Sequence, residues 1–297
     1  MPLLCRCLVQ VCLAIALTFL LAFPASASPS ADDAFAQGVS AFQQQQYAQA
    51  LEAFTQAIEQ RLQPAAAYGN RCLLHLQLNH AARAIADCTQ SLQHNSANVE
   101  AYLNRGLAHY RLAHYDEAIA DYGRVLAARP GDYRALYNRG LAYAGMSHYR
   151  EAIAAYDQAI EASSELPAVP KAIIYDDRGV AYLSLGNPEQ AIADFTQAIA
   201  LDELDTRAYF NRACTCHQMG RDRDAMDDFG RVIALDTHHA EAYFNRGILH
   251  YQDGQLQAAL ADFQRAAHCF YQQDNLTAYD QVMKLVAQIQ QEQTTIG

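Results

Sequence analysis

The segment Tyr102-Leu-Asn-Arg-Gly106, with Ala118 twelve residues beyond it and Tyr122 four residues further, decides how this chain reads, because it recurs. Its echoes are Tyr68-Gly-Asn-Arg-Cys72, Leu136-Tyr-Asn-Arg-Gly140, Tyr175-Asp-Asp-Arg-Gly179, Tyr209-Phe-Asn-Arg-Ala213 and Tyr243-Phe-Asn-Arg-Gly247. Each is followed at the same distance by an alanine (Ala84, Ala152, Ala191, Ala225, Ala259) and then by Cys88, Tyr156, Phe195, Phe229 or Phe263. The alanines are 34, 34, 39, 34 and 34 residues apart, and a degenerate first copy with Gly38, Ala50, Phe54 and Ala57 stands 34 residues ahead of the second. Self-similarity at a fixed period of this size is the mark of a repeat architecture.

Each unit reads as two amphipathic helices joined by a short turn such as Ala113-His114-Tyr115-Asp116. The small residues let the two helices approach closely, and the bulky ones fill the space toward the next unit. One unit cannot bury its own apolar face, so stacking supplies the core and the predicted fold is all-α. The 39-residue step contains an insertion at Pro167-Ala-Val-Pro-Lys171. Its two prolines discourage helix continuation, which predicts a lengthened loop inside one domain. After the last unit, Asn275 to Gln290 carries a further helical pattern (Leu276, Tyr279, Val282, Met283, Val286, Ile289) that would cover the end of the stack.

These residues resemble the tetratricopeptide repeat (TPR) pattern, with seven repeats starting near 31, 65, 99, 133, 172, 206 and 240. Counting within a repeat, positions 4, 8, 20 and 24 match the family well. Position 11 is Tyr only at Tyr143 and Tyr182, and the proline of position 32 appears only as Pro130. The resemblance implies a right-handed TPR superhelix, an α-solenoid of helix-turn-helix units whose first helices line the concave face. It places repeats over residues 28–273 and a C-terminal capping helix and tail over 274–297.

Composition narrows the function. The chain has 297 residues, 52% of them apolar, no Trp and a net charge of −11, and only Lys171 and Lys284 are lysines. That balance excludes disorder, and it excludes a nucleic-acid groove or a polybasic membrane surface. Residues 1–27 read as a signal peptide: Arg6, an apolar run from Leu8 to Phe23, then Pro24-Ala25-Ser26-Ala27. The expectation is export to the periplasm or another extracytoplasmic compartment, the alternative being a membrane anchor formed by residues 8–23. The five cysteines beyond the leader (Cys72, Cys88, Cys214, Cys216, Cys269) are odd in number and match no metal or disulfide framework by spacing. They read as small buried hydrophobes.

Position 6 is Asn70, Asn104, Asn138, Asp177, Asn211 and Asn245. A carboxamide both donates and accepts, so a row of them on the first helices could grip an extended peptide backbone. The row resembles the asparagine ladder in the TPR superhelix of O-GlcNAc transferase, and only the ladder carries over. The alternative is that these amides cap or bridge helices, and Asp177 interrupts the row. Tyr110, Tyr137, Phe210, Phe244 and Tyr251 would flank it in an aromatic-lined groove. A lysine-based carboxylate clamp is excluded, since position 2 carries no lysine in any repeat.

In repeats 2 to 7 position 7 is always Arg and position 23 is Asp except at Ala155, and repeat 1 lacks both, with Gln37 and Ala53. This co-occurrence predicts structural ion pairs such as Arg105 with Asp121 and Arg212 with Asp228. His75, His109 and His250 fall at position 11 and read as satisfied core residues, while Asp236, His238 and His239 form a weak metal candidate. No catalytic motif is present and no cofactor is predicted. The expected function is a non-enzymatic scaffold that binds a protein or peptide partner in the concave groove. Two alternatives are a membrane-tethered assembly factor for a multi-subunit complex and a metal-binding regulatory subunit.

Overall fold

The computed structural model describes residues 34–163 and 167–296. The leader read over 1–27, with its alternative anchor at 8–23, lies outside the described residues. Fifteen α-helices and no strand occur among the described residues. Seven hairpins follow one another: α1(Ala34–Gln43) with α2(Tyr47–Glu59), α3(Pro64–Gln77) with α4(Ala81–His94), α5(Val99–Arg111) with α6(Tyr115–Ala128), α7(Tyr133–Gly145) with α8(Tyr149–Ala162), α9(Ala168–Ser184) with α10(Pro188–Leu201), α11(Thr206–Gln218) with α12(Asp222–Leu235), and α13(Ala240–Gln252) with α14(Leu256–Gln272). The last helix is α15(Leu276–Ile296). The helices form two compact units, α1–α8 and α9–α15.

The hairpin turns explain the period. In every one the amide of position 16 donates to the carbonyl of position 11, as in His80 to His75, His114 to His109 and Gln255 to His250 (2.8, 2.9 and 2.8 Å). This is the six-to-one bond of a Schellman end, which satisfies a helix carbonyl and needs a left-handed residue just before it. That residue is Gln45, Asn79, Ala113 or Ser147 in the first unit and Gly186, Gly220 or Gly254 in the second. Entry to the first helix of a repeat is capped by the residue ahead of it: Asn98, Asp132, Asp205 and His239 accept from the first-turn amides of α5, α7, α11 and α13.

Packing within a hairpin runs through positions 8, 20 and 24. Ala50, Ala84, Ala118, Ala152, Ala191, Ala225 and Ala259 are fully buried. A Cβ added to Gly38, Gly106, Gly140, Gly179 or Gly247 would sit 2.5 to 2.8 Å from the ring at position 24 of the same repeat. The aromatic of position 24 therefore fills its own hairpin rather than reaching toward the next, and in these five repeats the missing side chain makes room for it. In repeat 2 the two positions are Cys72 and Cys88, and they form a disulfide with Cα atoms 5.3 Å apart. Of the five cysteines read as small buried hydrophobes, these two are therefore paired. Cys214, Cys216 and Cys269 do remain free and buried.

The insertion also differs from expectation. Pro167 is the N-cap residue of α9, and residues 168–171 form the first turn of that 17-residue helix instead of a loop. First-turn amides have no intrahelical acceptor, so Pro170 removes no hydrogen bond there. At the other end α15 packs on α14 through Val282, Val286 and Ile289, all buried. Leu276 and Met283, read as part of that covering face, are 56% and 38% exposed.

Candidate functional site

Successive first helices approach one another within each unit (α1 with α3, α3 with α5, α5 with α7, and α9 with α11), whereas second helices do not approach comparably. The first helices therefore line the inner side of each stack, and position 6 lies on them. In the first unit Asn70 is half-buried and donates through Nδ2 to the Ala66 carbonyl of its own helix at 3.1 Å. Asn104 and Asn138 are half-buried, and among the described residues their side chains have no hydrogen-bond partner. In the second unit Asn211 and Asn245 are 7% and 5% exposed, and Asn211 donates to Asp176 at 3.1 Å. The row is thus two open amides in the first unit, with the remaining members turned inward or engaged.

The flanking aromatics divide in the same way. Tyr137, Phe210 and Phe244 each lie against the position-24 ring of their own repeat at 6.0, 5.7 and 5.8 Å between centroids. Tyr137 and Phe210 keep part of their surface, and Phe210 also packs at a tilt against His239, 4.8 Å between centroids. Phe244 is 5% exposed and belongs to the core, which corrects its assignment to the groove. Tyr110 is half-buried against Tyr115 at 5.8 Å, and Tyr251 is half-buried beside the core of the last repeat.

The arginines of position 7 build a ladder. Nε and Nη2 of Arg71, Arg105, Arg178, Arg212 and Arg246 each donate to the two carboxylate oxygens of the aspartate sixteen residues on, at 2.7 or 2.8 Å. Each guanidinium also covers the tyrosine of position 4 in its repeat, 5.3 to 6.0 Å from the ring centroid. In three cases Nη1 reaches back to a threonine on the preceding second helix: Arg71 to Thr55, Arg105 to Thr89 and Arg212 to Thr196 (3.0, 3.2 and 3.0 Å). The aspartate hydrogen bonds hold the guanidinium groups of Arg71, Arg105, Arg212 and Arg246 above their ordinary pKa.

One polar cluster escaped the sequence reading. Asp176, at position 5 of repeat 5, is fully buried on α9, where other repeats carry Leu103, Tyr137, Phe210 or Phe244. Nε of Arg207 lies 2.6 Å from it, Nη2 of Arg207 lies 3.2 Å from Asp177, and Asn211 completes the set. Burial pushes the Asp176 carboxyl up to about 7, against the pull of Arg207 and with help from Asp177 and Asp205. An aspartate at an otherwise apolar repeat position, with an arginine at position 2 of the next repeat, is the signal that would have found it.

Two of the position-11 histidines lie in the core. His75 is buried and His109 half-buried, and both imidazoles are held below the usual range by burial. Their Nδ1 atoms are shielded and have no hydrogen-bond partner, so the core placement stands while the expectation of full satisfaction does not. His239 caps α13, and the amide of His238 donates to Asp236 at 2.9 Å, so the suspected metal triplet serves a turn. Among the described residues no group of three His, Cys, Asp or Glu side chains has the arrangement of a metal site.

Sequence profiles of the tetratricopeptide repeat match residues 35–98, 99–132, 132–204, 177–232 and 218–274. No curated protein matches the sequence. Among solved structures, a tetratricopeptide repeat protein from Parabacteroides merdae is 22% identical with a TM-score of 0.62, covering 84% of this chain and 97% of its own. PilF of Pseudomonas aeruginosa is 17% identical with a TM-score of 0.61, covering 75% and 97%. YrrB, described as a TPR protein with an unusual peptide-binding site, is 24% identical with a TM-score of 0.52, covering 64% and 95%.

Proposed function

The chain belongs to the tetratricopeptide repeat family, and from that premise we propose that it is a non-enzymatic scaffold which holds an extended segment of a protein partner on its first helices. The observation that carries this reading is the pair Asn104 and Asn138, equivalent half-buried residues of adjacent repeats whose side chains are unengaged. A strand of peptide laid across α5 and α7 would give each amide a carbonyl and an N–H, without selecting side chains. Tyr110 and Tyr137, half-buried on the same two helices, would offer apolar surface to that strand. Specificity would then come from the residues around the row, because fold alone does not set it.

Panning a random peptide library on the wild-type protein and on the Asn104→Ala/Asn138→Ala variant tests this. Peptides enriched on the wild type should bind the variant at least about tenfold more weakly, a loss of about 1.4 kcal/mol. Equal affinity would overturn the groove.

Export remains part of the proposal. It is supported by the leader-like residues 1–27 and by the Cys72–Cys88 disulfide, a bond that persists in oxidising compartments. N-terminal sequencing of the mature protein is expected to begin at Ser28, and a chain retaining residues 8–23 would favour the tethered alternative.

A further inference from the structure

The arginine ladder has one broken rung, in repeat 4. Arg71, Arg105 and Arg212 each hold the same three partners: an aspartate, a threonine of the preceding second helix and a tyrosine ring. Arg139 keeps the arginine and lacks all three, because Ala155, Gly123 and Leu136 stand at those positions. Its Nη2 donates to Oε1 of Gln158 at 3.1 Å, and its Nε, shielded from solvent, has no hydrogen-bond partner. A guanidinium nitrogen that has lost water and gained no acceptor favours any oxyanion able to reach it.

Gly123, at the position where other repeats place a threonine against Nη1, is exposed. A Cβ there would meet no atom within 4 Å, whereas one on Gly230, the equivalent residue of repeat 6, would meet Nη1 of Arg246 at 3.7 Å. The parts of this place come from α6, α7 and α8 of the first unit.

We propose that Arg139 is a binding site for one external carboxylate, which takes the place held by the cis aspartate in five other repeats. The chemistry is set by size and sign. Exchanging Asp for Ala at position 23 removes one carboxylate group, and the same arginine fork grips that group through Nε and Nη2 at 2.7 or 2.8 Å elsewhere in the chain. A net charge of −11 opposes a polyanion and leaves a single short-range carboxylate as the ligand. Its source is a small free carboxylate or an Asp or Glu side chain of a protein partner.

Arginine Nε–Hε resonances of the 15N-labelled full chain test the site, with Arg139→Gln identifying the resonance. Sodium formate should shift that resonance saturably, and sodium chloride at equal ionic strength should not. The variant Ala155→Asp restores the cis partner, so its resonance should already be displaced and no longer respond to formate. A response to N-acetyl-aspartate N-methylamide as well as to formate assigns the site to a partner side chain; a response to formate alone assigns it to a free small carboxylate. No formate-specific shift in the wild type, or a shift that survives Ala155→Asp, overturns the proposal. An equal response to inorganic phosphate overturns the carboxylate assignment.

Discussion

Nε and Nη2 of Arg105 hold the two carboxylate oxygens of Asp121, sixteen positions further along the chain, at 2.8 and 2.7 Å, which ties the two helices of one hairpin together. The Asp121 side chain is 7% exposed and that of Arg105 22%, so little solvent competes. Removing either partner strands the other in a poor solvent and should cost about 3–5 kcal/mol. Removing both should cost less than the sum of the singles, with a coupling energy of roughly 1–3 kcal/mol. Urea unfolding of Arg105→Ala, Asp121→Ala and the double variant measures it, and strict additivity would mean that the pair contributes nothing as a pair.

Cys72 and Cys88 occupy the positions that carry glycine and an aromatic ring in five other repeats. Losing the crosslink returns loop entropy to the unfolded chain, so Cys72→Ser/Cys88→Ser should lower stability by about 3 kcal/mol. The variant Cys72→Gly/Cys88→Tyr copies the pair Gly106 and Tyr122 and should recover most of that loss. Thermal melts with and without dithiothreitol distinguish the two chemistries: reductant should destabilise the wild type and leave the glycine–tyrosine variant unmoved. If that variant melts no higher than the serine variant, the two contacts are not interchangeable.

The Asp176 carboxyl stands near 7 in the folded chain, above its value of 3.8 as a free side chain. Between those values the folded state binds a proton that the unfolded state has released. Stability from this group is therefore fully present below about pH 4, falls as pH rises toward 7, and is level beyond it. The slope should reach about 1.4 kcal/mol per pH unit at most. Asp176→Asn keeps an acceptor for Arg207 and removes the titration. Chemical denaturation of the wild type and this variant from pH 4 to 8 should give curves that converge at low pH and separate at high pH. Parallel curves would show that the group does not titrate in that window.

The repeat fold was legible because its determinants are local and repeated. Gly106 with Tyr122, or Arg105 with Asp121, appears several times at the same spacing, and each recurrence is an independent statement of the same contact. What escaped the sequence was whatever occurs once. Cys72 and Cys88 are juxtaposed by the hairpin itself, yet as a spacing of sixteen they match no known disulfide framework. Asp176 hides because its partner Arg207 lies 31 residues away on the next first helix. The site was half legible: position 6 is a row on the inner helices, but burial separates Asn104 and Asn138 from Asn245, and no spacing announces burial.

The left-handed residue in each hairpin turn has a thermal consequence. In the first unit it is Gln45, Asn79, Ala113 or Ser147, so the bend is a strain carried by the folded chain, about 1–2 kcal/mol for a residue with a Cβ. In the second unit it is Gly186, Gly220 or Gly254, and the same bend is instead an entropy gained on unfolding, about 0.5–1 kcal/mol. Strain enters as enthalpy and changes little on warming, whereas the entropic contribution grows in proportion to absolute temperature. The two halves thus make the same turn on different thermodynamic terms, and heat presses on the turns of the second half more than on those of the first.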